Sequence, residues 1–436
     1  MIPKYLSANA LTVAALAIGV GTLAILAEAG IWTSLAISTL VLTSALLVLA
    51  TSGLPKSWVA ATLLVKTLYA ADLLLAMYDG RPLRYAPEVG ASAAELRAQT
   101  LLMLCVWAAA FCAAASFSSN SRLFSYTKMP DGVSGKVIPM LLIAISQVAF
   151  ILIVKQVGGI SMMLSSMSSR YEVYFGIGFL RVAVGAGAIG CAMYYLQGKR
   201  WRSWIITVAI FIELALLGGR SFALFSTLIP IAMLWLCSLK RIPIGRTALI
   251  TASAVIFVSA LGTYRSSQLS QQYHAATGVF SKLVIDTGAA DNFPSLLSML
   301  RRDVTPYAGI EIVSSSLFAP IPRAIWNEKP MTDEAAAIGT ILANADTVNW
   351  GLPIGPHGLA YYTAGAIAVP IFGLISGLFF GFVLNRTQRS AAWMATSPFI
   401  LLLAPDILSP STAARAIVLI MITIAISFAI RLRFRK

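Results

Sequence analysis

The chain has 436 residues, of which 58% are hydrophobic and only 11% are charged, and its formal net charge is +15. A soluble domain carries about twice this charged fraction, so the composition excludes an ordinary soluble enzyme. Apolar stretches of about 20 residues, the length of a spanning helix, recur from one end of the chain to the other. The four cysteines lie inside apolar runs without metal-site spacing, which favours buried, reduced thiols.

Taken in chain order, the apolar runs predict an all-α polytopic membrane protein with about twelve spanning helices. Their expected positions are residues 8–28, 31–52, 57–77, 98–117, 137–155, 177–196, 204–218, 221–238, 247–264, 357–384, 392–409 and 414–430. Every second segment between the predicted spans is basic. Together with Lys4, these segments hold 17 of the 32 lysines and arginines but only one of the 17 acids, Asp131. Because cytoplasmic loops carry such a cationic excess, both termini are expected in the cytoplasm, and the charge does not indicate nucleic-acid binding.

The spans divide the chain into three predicted parts. These are a transmembrane bundle of about nine spans at 1–264, a large outer segment at 265–356 and C-terminal transmembrane helices at 357–436. The outer segment is too long for a passive connector. Asp291 before "NFPSLLSML" and Thr332 before "DEAAAIGTILA" are signals for the start of a helix. They predict a partly helical cap on the outer, periplasmic face.

The stretch "GGRSFALF" places Arg220 at the tip of a hairpin between two predicted spans. The apolar run before it, 204–217, has 14 residues, which is about 21 Å of helix against a hydrocarbon core of about 30 Å. Arg220 is therefore expected in a recess, where it either binds an anionic ligand or pairs with Glu213 two turns earlier. Arg170 and Arg181 also map to the outer side. There they are expected either to form an anion site together with Arg220 or to act as separate anchors at the membrane interface.

A proline-rich stretch of the outer segment, "LFAPIPRAIWNEKP", combines a tryptophan with charged side chains. Prolines favour a rigid loop. In such a loop the Trp326 ring suits stacking on a sugar, while Arg323 and Lys329 suit contacts with phosphate. Glu328 adds a carboxylate for substrate binding and is a second candidate base. The alternative is an interfacial loop whose tryptophan belongs to the aromatic belt of the membrane.

The stretch "GPHGLAYYTAG" contains His357, one of only two histidines, where the outer segment meets the next predicted span. An imidazole with a pKa of about 6.5 accepts a proton near neutral pH, so His357 is a candidate general base or partner of an acceptor hydroxyl. The alternative is that it only caps a helix after Pro356. The other histidine, His274, lies in a polar stretch and lacks such a setting.

Two further charges, Lys66 and Asp72, lie inside the predicted span 57–77. Because they are six positions apart, they do not share a face of the helix. Each is therefore expected to meet a group on another helix, either as a structural pair or as part of a relay.

These features together resemble the bacterial O-antigen polymerases, the Wzy-type oligosaccharide repeat-unit polymerases. The resemblance rests on "GGRSFALF", "IPRAIWNEKP" and "GPHGLAYYTAGAIAVPIFGLISG", which occur in this order over most of the chain. The last stretch also resembles the related O-antigen ligases. These place a histidine at the outer mouth of such a helix and a glycine eight positions later, here His357 and Gly365.

The resemblance implies a C-type membrane glycosyltransferase fold in the bacterial inner membrane, with an active site facing the periplasm. It implies polymerisation of undecaprenyl-diphosphate-linked oligosaccharide repeat units without metal or cofactor, with membrane lipids and a chain-length regulator protein as further partners. By position, Arg220 matches the family's diphosphate-binding arginine, Arg323 its loop arginine and His357 the ligase-type base. The chain departs from the Arg-x10-Gly motifs of some polymerases, because neither Arg170 nor Arg323 has the required glycine.

The main rival class is a transporter, such as a flippase for lipid-linked oligosaccharides, because a cationic cavity and about twelve spans suit both. Flippases often show two similar halves, whereas this sequence shows no such repeat. An O-antigen ligase is the second alternative, since the motifs alone do not separate it from a polymerase. A non-catalytic assembly scaffold fits charges inside the membrane poorly.

Overall fold

The structure is a computed structural model, and every regular element in the residues it describes is helical. The described residues are 4–83, 85–86, 92–118, 133–165, 178–217, 223–238, 291–309, 311–315, 318, 321, 326, 334–344, 352–387 and 390–433. The longer helices are α1 (Lys4–Leu26), α2 (Ile31–Thr51), α3 (Lys56–Tyr78), α4 (Ala93–Ser118), α5 (Val133–Val157), α7 (Gly178–Leu196), α8 (Arg200–Leu216), α14 (Ala368–Thr387), α15 (Ala391–Leu403) and α16 (Pro410–Arg433). The shorter helices are α6 (Ile160–Ser165), α9 (Ile229–Ser238), α10 (Asn292–Arg301), α11 (Glu311–Ser314), α12 (Glu334–Ala343) and α13 (Gly355–Ala364).

Seven helices in the described part of the chain are long and apolar enough to cross a membrane. Their apolar spans are Asn9–Leu26, Ile31–Thr51, Lys56–Tyr78, Ala93–Ser118, Lys136–Val157, Ala368–Thr387 and Pro410–Ile430. Each overlaps one of the twelve predicted spans, and the predicted class, an all-α membrane protein, is confirmed. Helices α7, α8 and α9 are shorter and lie at three more predicted positions, while the predicted span 247–264 lies outside the described residues.

The predicted span 357–384 is wrong as a single helix. Helix α13 ends at Ala364, and α14 begins only at Ala368. Between them Gly365 has φ +71° and ψ −160°, a backbone conformation that is accessible to glycine and strained for other residues. Hydropathy runs smoothly through this break, so the apolar pattern alone does not reveal it.

The predicted span 392–409 is also wrong in its length. Helix α15 stops at Leu403, and a 3-10 turn, Ala404–Asp406, follows it. Pro405 in this turn has no backbone N–H to continue an α-helical ladder. The helix is therefore interrupted by a turn that carries the acidic side chain of Asp406, whereas the sequence predicted a continuous apolar helix.

The surface of the helices is that of a membrane-embedded protein. Large apolar side chains are exposed on α1, α5 and α16, among them Leu16, Leu23, Met140, Ile151, Met421 and Phe428. Exposed aromatic residues lie at helix ends, as in the aromatic belts of membrane proteins: Trp32, Tyr78 and Trp201. A water-soluble protein rarely exposes apolar surface on this scale, because contact of that surface with water is unfavourable.

The chain forms two compact units. The first comprises residues 1–123, 287–385 and 403–418, and the second comprises 124–286, 386–402 and 419–436. The three-part division at residues 264 and 356 is a division by sequence and stays a prediction.

Helix α4 is the buried centre of the first unit, and small residues allow α14 to approach it closely. Gly373, Gly377 and Gly381 recur every fourth residue on α14. A Cβ atom at Gly377 would overlap the carbonyl oxygen of Phe111 on α4. Such small-xxx-small patterns are typical of membrane helices. In a bilayer no hydrophobic effect drives helices together, so they associate through close packing of their backbones.

Helix α1 ends in a Schellman motif with an unusual residue at its left-handed position. The backbone N–H of Ala29 donates to the carbonyl of Ala24, at 3.0 Å, and that of Glu28 donates to Ile25, at 3.1 Å. Glu28 has φ +50°, where glycine is usual. The left-handed conformation costs roughly 1–2 kcal/mol for a residue with a Cβ.

Two helices were correctly predicted in the segment 265–356. Helix α10 follows Asp291, and α12 covers most of "DEAAAIGTILA". The Asp291 carboxylate, however, makes no capping hydrogen bond to α10. The cysteines also agree with the prediction: all four are free thiols, with three buried and Cys237 half-buried.

Candidate functional site

His357 lies in the first turn of α13, in the first compact unit, and its side chain is only 1% exposed. Its ring lies against two aromatic rings. The centroid distance is 5.3 Å to Tyr69 of α3, and 5.5 Å to Phe293 of α10, which it meets edge to face at 84°. Three helices that are distant in sequence therefore converge on one imidazole.

Neither ring nitrogen of His357 has a hydrogen-bond partner among the described residues. The Tyr69 hydroxyl next to it is also buried without one. Buried polar groups in proteins are nearly always paired with protein groups or with ordered water. The two orphaned groups therefore mark a polar position inside an otherwise aromatic environment, suited to water or to a substrate hydroxyl.

The structure contradicts the alternative in which His357 caps its helix. Helix α13 begins at Gly355, with Ile354 as the capping residue and no side-chain capping hydrogen bond. The histidine is the third residue of the helix, and its nitrogens bond to no described group. A buried packing role among aromatic rings remains as the alternative to a chemical one.

An intramembrane ion pair lies close to this ring. Lys66, on the middle of α3, places its Nζ 2.9 Å from Oδ1 and 3.0 Å from Oδ2 of Asp406. The lysine side chain is only 12% exposed. The expectation that Lys66 meets a group on another element is thus confirmed, and its partner lies in the 3-10 turn that hydropathy did not reveal.

The pKa of the His357 imidazole is lowered, first by burial and second by the positive charge of Lys66. A neutral pocket with a cation nearby disfavours a second positive charge on the ring. The imidazole is therefore neutral, as a proton acceptor must be.

A second group of charges links α3, α4 and α10. Arg97 of α4, buried to 1% exposure, places Nη2 2.6 Å from Oδ1 of Asp291. Its guanidinium also donates to the backbone carbonyls of Ala76, Arg81 and Pro82. Because Asp291 directly precedes α10, this arginine fixes the start of the helix that carries Phe293 to the imidazole.

Among the residues that the structure describes, the ion pairs around the site leave no excess of positive charge. Asp72 lies 3.8 Å and Asp79 lies 3.2 Å from the Arg81 guanidinium. With Asp291 and Asp406, four acids face three cations. A diphosphate would therefore need cations other than these, and the sequence offers its remaining arginines for that role.

Three other predicted site residues are described. Glu213 of α8 is half-buried and accepts a hydrogen bond from Gln147 of α5, at 3.2 Å. Arg181 is half-buried in the first turn of α7. Trp326 is half-buried in the first unit, where its ring meets Phe318 edge to face at 5.6 Å.

The remaining predicted site residues lie outside the described residues: Arg170, Arg220, Arg323, Glu328 and Lys329. The proposed pair of Glu213 with Arg220 is therefore not tested, and the roles of these five residues stay predictions.

Several residues at or near the His357 site were not predicted from the sequence. Phe293, Tyr69 and Arg97 were not singled out, although Arg97 is a charge at the start of a long apolar run. Asp406 was hidden in a predicted span, where an acid beside a proline is itself a signal of a bend. Tyr69 and Phe293 carry no such signal, because aromatic residues are common in membrane helices.

Among the described residues, no group of three His, Cys, Asp or Glu side chains is arranged to hold a metal ion. A comparison of the chain with protein-family models, with curated protein sequences and with solved structures finds no match.

Proposed function

We propose that this protein is a glycosyltransferase that polymerises undecaprenyl-diphosphate-linked oligosaccharide repeat units at the periplasmic face of the bacterial inner membrane. The observation that carries the proposal is the His357 imidazole, which is buried among aromatic rings without a described hydrogen-bond partner. It lies in the first turn of a short helix that breaks at Gly365, before a membrane span. Motif order and the positive-inside charge pattern provide further support. The finer fold, about twelve spans in a C-type arrangement, belongs to the same proposal.

In the proposed reaction, an acceptor sugar hydroxyl attacks the anomeric carbon of the lipid-linked donor. A ring nitrogen of His357 accepts the hydroxyl proton as the new glycosidic bond forms. The bond between the anomeric carbon and the diphosphate oxygen breaks, and the lipid diphosphate leaves with its electron pair. Arg220, with Arg323 and Lys329, stabilises the negative charge on this leaving group. Because His357 is buried, substrate binding must open a path to its ring.

The lowered pKa of His357 predicts an unusual pH dependence. An ordinary imidazole, with a pKa of about 6.5, loses about nine-tenths of its proton-accepting form at pH 5.5. A ring with a lower pKa keeps that form as the pH falls, so the single-turnover rate should change less than about twofold between pH 7.5 and 5.5. Rapid-quench measurement of the single-turnover rate across this pH range tests the prediction. A roughly tenfold fall of the rate towards pH 5.5 would contradict a base with a lowered pKa.

The topology in the proposal predicts which sites a membrane-impermeant thiol reagent reaches. In a cysteine-free background, Thr340→Cys on α12 should react from outside intact cells, because α12 belongs to the predicted periplasmic cap. Arg200→Cys, at the start of α8, should react only after the membrane is opened. The reverse pattern would invert the orientation and remove the site from the periplasmic face.

A transporter of lipid-linked oligosaccharides is the second candidate, and one observation favours it. Lys66 lies within a spanning helix and pairs with Asp406 of the 3-10 turn, and ionisable residues inside spanning helices often belong to transport or proton pathways. Proteoliposomes separate the candidates. Movement of the lipid-linked repeat unit between leaflets without glycan growth indicates a flippase. Glycan transfer that requires a different acceptor, such as a lipid A core, indicates a ligase.

A further inference from the structure

An aromatic line leads from His357 to the surface of the first unit. Phe293, which contacts the imidazole, meets Tyr361 edge to face at 5.9 Å. Tyr361 in turn lies 6.0 Å from the ring of Tyr307, and the two side chains are hydrogen-bonded. Tyr361 is almost fully buried, whereas Tyr307 is 48% exposed. The outer end of the line is therefore an accessible aromatic ring held by a buried one.

The segment that carries Tyr307 is fastened to the helix that carries His357. The backbone N–H of Ala308 donates to the carbonyl of Tyr362 on α13, at 3.0 Å. This bond, together with the pairing of Tyr307 and Tyr361, fixes the ring relative to the imidazole. A ligand stacked on Tyr307 would thus be held in a defined relation to the proposed base.

A charged pair lies at the same place. Glu28, at the end of α1, is 58% exposed, and its Oε1 lies 3.2 Å from Nε of Arg301 at the end of α10. Arg301 lies only six positions before Tyr307, so the ion pair belongs to the same stretch of chain as the outer end of the aromatic line. Arg301 is the more buried partner and holds the carboxylate in position.

The backbone at Glu28 points to a role beyond structure. Its position in the Schellman motif is left-handed, with φ +50°, where glycine is the residue without strain. When a residue with an exposed functional group has a strained backbone conformation, the strain is a reason to infer a function for that group. The carboxylate therefore stands at a backbone position that glycine would occupy with less strain.

We propose that Tyr307 and Glu28 form a subsite for a neutral sugar ring of the glycan. A half-exposed aromatic face suits the C–H face of a pyranose, and a carboxylate oxygen accepts hydrogen bonds from its hydroxyls. An anionic ligand fits less well than a neutral one, because the Glu28 carboxylate offsets the charge of Arg301. The assignment of this sugar to the acceptor glycan rests on the proposed function, whereas the sugar subsite itself does not.

Binding of free glycan tests the subsite without catalysis. The probe is the oligosaccharide released by mild acid from the lipid-linked repeat unit, and the readout is saturation-transfer NMR with the full chain in detergent micelles. We expect the wild type to bind, Tyr307→Ala to bind at least tenfold more weakly, and Tyr307→Phe, which keeps the ring, to stay within threefold. No binding by the wild type, or unchanged binding by a folded Tyr307→Ala protein, would overturn the subsite.

Replacement of Glu28 by glycine separates structure from binding. Glu28→Gly relieves the left-handed strain, so its unfolding temperature should equal or exceed that of the wild type. It also removes the carboxylate, so glycan affinity should fall at least fivefold. A variant that is as stable as the wild type and binds the glycan equally well would overturn the role of Glu28 in the subsite.

Kinetics then link the subsite to the proposed reaction. Tyr307→Ala should raise the acceptor KM at least tenfold with kcat changed less than twofold. If the wild type binds the glycan but forms no polymer, the proposed function fails while the subsite stands. If the wild type forms polymer and Tyr307→Ala keeps a normal acceptor KM, the function stands and the acceptor assignment fails.

Discussion

His357→Asn is expected to lower the single-turnover rate of glycan transfer at least a hundredfold, with near-normal binding of the donor. A general base typically contributes about 10²–10⁴-fold, and asparagine is polar and similar in size but does not accept a proton at this step. His357→Ala should be equally inactive. The measurement is rapid-quench transfer from saturating lipid-linked donor.

The control for this substitution is His274→Asn, which changes the only other histidine and should leave the rate within about twofold. His357→Asn also removes the ring contacts with Tyr69 and Phe293, so the two rates are compared at a temperature at which the variant is shown to be folded. If His357→Asn keeps most of its activity, the imidazole is a packing residue. The base must then be sought elsewhere, with Glu328 as the next candidate.

Arg97→Ala is expected to lower the free energy of unfolding by about 3–5 kcal/mol, because it removes one partner of a buried charge pair. The change removes a side-chain donor from Asp291 and from three backbone carbonyls. It also frees the start of α10, so Phe293 should lose its fixed contact with His357. Reversible unfolding in mixed micelles measures the loss.

Arg302→Ala is the matched control, since this arginine follows the same helix, α10, and is exposed, with a hydrogen bond to Ser298 at 3.0 Å. It should change the free energy of unfolding by no more than about 0.5 kcal/mol. An Arg97→Ala protein as stable as this control would show that the buried guanidinium does not hold α3, α4 and α10 together.

The apolar pattern was sufficient to predict the long helices but not their breaks. Helices α2 and α3 lie within a few residues of their predicted spans, because their length and composition leave no other structure in a bilayer. The break at Gly365 and the bend at Pro405 depend on single residues, which an average over many apolar neighbours conceals. The helices α10 and α12 were predictable because polar residues mark their starts.

The site was predictable only at the level of single residues. His357 was identified because histidine is rare in this chain and lies at a boundary between segments. Its surroundings depend on contacts between distant positions: Lys66 meets Asp406 across 340 positions, and Arg97 meets Asp291 across 194. No local pattern encodes such pairs. Asp291 illustrates the difference, because the sequence predicted a helix cap and the structure uses the carboxylate to bind Arg97.

The central claim, polymerisation of lipid-linked repeat units, is tested most directly by reconstitution of the wild-type chain in proteoliposomes. The only other components are undecaprenyl-diphosphate-linked repeat units and buffer. The account predicts a ladder of glycans that lengthen by one repeat unit at a time, with release of one undecaprenyl diphosphate for each bond formed. A well-folded wild-type protein that leaves the repeat units as single units, with no undecaprenyl diphosphate released, would contradict it.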